Sequence, residues 1–152
     1  MEKYTAHLNN KLNHLLERIH DGEKGFRKAS THTDHQFLRR YFEKKSLERE
    51  KFSQELNNVI NTYEVHDDHS GSIVGAAHRT WMDIKALFSF DNDESMLEEA
   101  INGEKVLLED YNAILSEDTL PIGIRAVLLS HKELIENGLS AIKKLEDLRE
   151  NA

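Results

Sequence analysis

A chain of 152 residues is long enough to bury a sizeable core as one domain, residues 1–152, without disulfides or a structural metal. Charged residues make up 32% against 7 Gly and 1 Pro, which favours long helices, and the absence of Cys excludes disulfides, thiol redox chemistry and thiolate metal sites. The net charge of −8, with Lys and Arg scattered through every segment, argues against nucleic acid or an anionic membrane as partner.

Met1 to His20 carries no apolar leader, and nowhere is there an apolar run of membrane-spanning length, so a cytoplasmic setting is expected. From Tyr4 to about Ser30, Leu8, Leu12, Leu15, Ile19 and Phe26 recur at steps of three, four and seven, the apolar seam of a bundle helix. Thr31 to Asp34 breaks the pattern, and Asp34 is the expected N-cap of a second helix from about His35 to Tyr63. Its inward residues are Leu38, Phe42, Phe52, Leu56, Val59 and Tyr63.

The segment from about 64 to 93 reads as a crossover: a polar loop with Gly71, then a short helix from Ile73 to Phe88 bearing Trp81, closed by Asp91-Asn92-Asp93. A third long helix follows to about Glu117, with Leu97, Ile101, Glu104, Leu108, Tyr111 and Leu115 on its seam. Leu120-Pro121 starts the fourth, where a proline lacks no needed N–H, and Ile124, Leu128, His131, Ile135, Gly138, Ile142 and Leu145 form its seam. Two αα-hairpins joined by one long crossover describe an all-α, antiparallel four-helix bundle of the ferritin-like kind. Gly22-Glu23-Lys24 recurs as Gly103-Glu104-Lys105, placing an acidic residue on the seam of the first helix of each hairpin.

Ile19 to Phe26, Glu48-Arg49-Glu50-Lys51-Phe52 with Glu55-Leu56, Gly71-Ser72 through Gly75, His78-Arg79 and Trp81-Met82-Asp83 together resemble a bacterial ferritin-like family, domain of unknown function 2383. The resemblance covers about residues 5 to 115 and implies the ferritin-like fold. It implies no catalytic residues.

Each long helix places one polar residue on its seam: Glu23, Glu48, Glu104 and His131. Carboxylate and imidazole are ligands for iron, manganese or zinc, so these four are the candidate metal ligands. The dinuclear ferritin-like pattern needs a Glu-x-x-His on each of two helices. Lys51 stands three after Glu48 and Leu128 three before His131, so two ligands of that pattern are missing.

Counted from the expected turns, Glu23 and Glu48 lie roughly 7–8 Å apart along the axis, whereas Glu104 and His131 come level. That pair is the best site candidate. The structural alternative, preferred because buried polar groups are usually paired within the protein, is a Glu104–His131 hydrogen bond, with Glu23 reaching Lys44 or Lys45. His66-Asp67-Asp68-His69 reads as a solvated acidic turn, His7 and His14 stand two turns apart, and Trp81 with Ile84 and Phe88 reads as a docking stripe in preference to a pocket lined by His78, Arg79 and Trp81.

The leading expectation is a non-catalytic bundle without a cofactor. It would act as a stress-related structural protein, or through contacts with a protein partner or a second copy made by the bundle surface or crossover helix. The alternative is an iron- or manganese-binding bundle with storage or oxidoreductase chemistry.

Overall fold

Apolar residues at alternating spacings of three and four produce four long helices in the computed structural model, which describes residues 3–65 and 92–151. They are α1 (Ala6–Ser30), α2 (Gln36–Ile60), α3 (Asp93–Leu115) and α4 (Ile122–Ala141), followed by a short α5 (Leu145–Glu150). Two-residue strands β1 (Lys3–Tyr4) and β2 (Glu64–Val65) pair in parallel. The expected crossover helix with Trp81, and the residues from His66 to Asp91, lie outside the described residues.

Side chains set the helix starts. Thr5 accepts the Leu8 amide at 3.1 Å to cap α1, and Asn92 accepts the Ser95 amide at 2.8 Å to cap α3. The expected cap Asp34 is displaced by His35, whose Nδ1 accepts the Leu38 amide at 3.2 Å. Thr33 fixes that turn by accepting the His35 amide at 3.1 Å and donating to Asp93 at 2.6 Å. The second helix stops at Ile60 rather than Tyr63, since the Asn61, Thr62 and Tyr63 amides close onto the last turn.

At the other end of the sequence, α4 stops at Ala141 instead of running through Leu145. The Asp147 carboxylate captures the Lys143 and Lys144 amides at 2.8 and 3.1 Å, which bends the chain into α5 while Ile142 stays buried.

Two contacts fix the directions of the helices. Thr33 in the α1–α2 turn holds Asp93, the first residue of α3, and Tyr63 just past α2 accepts the Gly123 amide in the first turn of α4 at 3.1 Å. Helix α2 therefore ends, and α3 begins, at opposite ends of the bundle. With α1 up, the order is up, down, down, up: α1 antiparallel to α2 and α3, and α4 antiparallel to α2 and α3. Hairpin neighbours are α1 with α2 and α3 with α4.

The core lies in two apolar blocks. Leu12, Leu15, Ile19, Phe52, Leu56, Tyr111, Ile124 and Leu128 belong to the larger, and Phe26, Leu38, Phe42, Leu97, Ala100 and Ile142 to the smaller. All five residues expected on the α1 seam are buried. In α3 the buried stripe runs Leu97, Ala100, Glu104, Leu107, Tyr111, Ile114, so the expected Leu108 and Leu115 sit half-buried at its edge.

Candidate functional site

Between the two apolar blocks the stripes of α2 and α3 supply charge. Steps of three and four carry the α2 stripe from Phe42 through Lys45 and Arg49 to Phe52, so both cations point into the bundle, with relative exposures of 8% and 4%. Helix α3 offers Glu104 at the same level, 1% exposed. Its carboxylate accepts from Lys45 Nζ at 3.2 Å through Oε2 and from Arg49 Nη2 through Oε1. Lys45 also bonds Glu48 at 3.3 Å.

Burial by itself would raise the Glu104 carboxyl, but the charges and hydrogen bonds of Arg49 and Lys45 outweigh it and hold the group below the usual carboxylate range. Glu48 moves the other way, because burial dominates over its one lysine.

Glycines on the flanking helices make room for these cations. Arg49 lies so close to Gly22 of α1 that a Cβ there would overlap the guanidinium, and a Cβ on Gly138 of α4 would sit 3.0 Å from Lys45 Nζ. Arg49 also stands over the Phe26 ring at 5.2 Å and Lys45 over Tyr41 at 5.8 Å, both within cation–π range. One layer thus draws on all four long helices: Gly22, Lys45 with Arg49, Glu104, and Gly138.

The repeated Gly-Glu-Lys now separates into two cases. Gly103 has nothing within 4 Å of a built Cβ, so Gly103→Ala should stabilise α3 by about 0.5–1 kcal/mol through helix propensity. Gly22→Ala offers the same propensity gain but drives Arg49 off Glu104. Thermal melts should move in opposite directions for the two, and a rise for Gly22→Ala would show that Arg49 is not held where it stands.

A second polar group lies on the larger apolar block. His131 of α4, 1% exposed, stacks on Phe52 with ring centres 4.0 Å apart. Its Nδ1 meets the Tyr111 hydroxyl at 2.9 Å and its Nε2 the Glu55 carboxylate at 3.0 Å. A carboxylate only accepts, so Nε2 carries the proton and Nδ1 accepts from Tyr111 in the neutral imidazole. Burial lowers the His131 pKa, although Glu55 opposes the shift.

The expected Glu104–His131 pair is therefore replaced by two separate sets of partners. Tyr111 is level with His131, which brings Glu104 opposite Gly138, seven residues or about 10 Å further along α4. The count from the second turn misjudged this register by about four residues. In the other hairpin Ser46 Oγ donates to the Glu23 carbonyl at 3.0 Å, so Glu48 is only two residues, about 3 Å, off that level rather than 7–8 Å.

Glu23 is buried but pairs within α1, with Arg27 and with His20 at 3.5 Å, not with Lys44 or Lys45. Glu48 is half-buried beside the stripe, and the true polar stripe residues of α2 are Lys45 and Arg49. Among the described residues, no three His, Asp or Glu side chains converge in a way that could hold a metal ion. No described helix is long and apolar enough to cross a membrane.

A family model described as a domain of unknown function, DUF2383, matches residues 7–117 of this chain. No curated protein and no solved structure matches.

Proposed function

The chain belongs to this family of unknown function, DUF2383, and from that premise we propose that it is a non-catalytic, ferritin-like bundle acting through protein contacts at its surface. The observation that carries the reading is Glu104, the most deeply buried carboxylate among the described residues, which spends both oxygens on Lys45 and Arg49. Ferritin-like metal chemistry needs inward carboxylates that face one another. Here a carboxylate faces two cations, which would repel a metal ion from that place.

His131 points the same way, since both of its ring nitrogens are engaged by Tyr111 and Glu55. The ferritin-like topology is supported by the up, down, down, up order, which needs one long connection between α2 and α3. Contacts with other proteins are supported by the large apolar residues left on the outside. Ile122 is 77% and Leu47 66% exposed, and Leu129 lies two turns from Ile122 on the same face of α4.

Metal analysis of protein purified without chelators, with melting curves in added Fe(II) or Mn(II), tests the reading. Sub-stoichiometric metal and a melting temperature indifferent to metal concentration are expected. Stoichiometric metal, with a melting temperature rising with the logarithm of its concentration and losing that response in Glu104→Ala or His131→Ala, would replace this reading with the iron- or manganese-binding one.

A further inference from the structure

Where α4 ends and α5 folds back, the bundle surface opens into a cleft of about 190 Å³ beside the charged layer. Its walls are largely apolar: Phe37 and Tyr41 from α2, Ile142 from the bend and Leu148 from α5. Lys45 reaches it from the buried layer, and Arg40 and Lys44, both exposed, stand in its lining. Glu48, already hydrogen-bonded to Lys45, is the one carboxylate among the described lining residues.

Among its described residues the lining therefore holds three cations against one anion, on a protein whose net charge is −8. An excess of cations set against aromatic and aliphatic walls suits a ligand with a negative head and a compact apolar body. Size narrows the class further: a cavity of about 150 Å³ takes a benzene ring, and drug-sized ligands need about 300 Å³ or more. The volume here admits one ring, or a branched chain of similar bulk, together with its carboxylate.

We infer that this cleft binds a small amphipathic monocarboxylate, its body against Phe37, Tyr41 and Leu148 and its carboxylate toward Arg40, Lys44 and Lys45. Lysine carries three N–H donors and Lys45 donates two, to Glu104 and Glu48, so it keeps one for such a ligand without leaving the layer. Gly138 contributes by omission, because a side chain there would press on Lys45 Nζ. The inference is independent of the surface-contact reading above.

The test is calorimetric titration of the full chain with benzoate, with its neutral analogue benzamide, and with inorganic phosphate. Benzoate should bind with a Kd of about 1 mM, and benzamide and phosphate at least about tenfold more weakly, since one lacks the charge and the other the body. Exchanging the exposed cations in Arg40→Gln with Lys44→Gln should weaken benzoate by about tenfold and leave the melting temperature unchanged. Filling the cleft with Ala141→Phe, at an exposed lining position, should abolish the binding heat. Equal binding of benzoate and benzamide, equal binding of phosphate, or benzoate affinity unaffected by both variants would overturn the inference.

Discussion

Glu104→Leu should cost about 3–5 kcal/mol, because it removes the counter-charge from Arg49 and one of two from Lys45 while leaving both buried. In a chain of this length that is a fall of roughly 6–20 °C in melting temperature. Leucine nearly fills the space of glutamate, so little of the loss would come from a cavity. Replacing all three residues together, as Lys45→Met, Arg49→Met and Glu104→Leu, should recover most of it, because apolar side chains of similar volume often match or exceed a buried ion pair in stability.

Acid should reproduce the single variant in wild-type protein. The Glu104 pKa is lower in the folded chain than in the unfolded one, so its contribution is complete above the unfolded carboxylate value of 4.5 and is lost as pH falls through the still lower folded value. Glu104→Leu should lack that part of the acid dependence. An acid limb identical in the two proteins would show that Glu104 is not held as described.

Phe52→Ala is the second large effect, at about 3–5 kcal/mol for deleting a fully buried ring. The ring covers His131 at 4.0 Å and meets Tyr111 edge-on at 6.4 Å, so its loss opens a cavity against two hydrogen-bonded polar groups. Phe52→Leu, which refills most of the space, should cost much less, roughly 1–2 kcal/mol. Urea denaturation midpoints would separate the two. If Phe52→Ala costs no more than Phe52→Leu, the stacked arrangement contributes little and His131 is held by its hydrogen bonds alone.

Much of the architecture was legible because helix periodicity is a local property. Leu8, Leu12, Leu15, Ile19 and Phe26 marked the buried side of α1 without any knowledge of its neighbours. The polar layer was half legible. Glu23, Glu104 and His131 stand out as polar residues on apolar stripes, and all three are buried.

The sequence offers Lys45 only as a partner for Glu23 and gives Arg49 no place in the layer, although the run Phe42, Lys45, Arg49, Phe52 keeps the spacing of the stripe. A search for metal ligands weighs carboxylates and imidazoles, so it selected Glu48, one position from the true stripe residue. The signal that would have found the cations was the register itself.

Pairing across helices was the least legible part, because it depends on where each turn places its two helices. The second-hairpin turn is centred about two residues later than the sequence count assumed, and since partners run in opposite directions that error doubles along the partner helix. It moved Glu104 from the level of His131 to that of Gly138. No local pattern reports such an offset, which shows in the packing of Tyr111 on His131.

The Glu104 carboxylate in the bundle interior is committed to Lys45 and Arg49. A double-mutant cycle between Arg49→Met and Glu104→Leu, followed by chemical denaturation, measures it directly. The double variant should be more stable than the sum of the single losses implies, by about 1–3 kcal/mol of coupling. Losses that simply add would contradict it, for Glu104 and Arg49 would then not be partners and the carboxylate would be available for other chemistry.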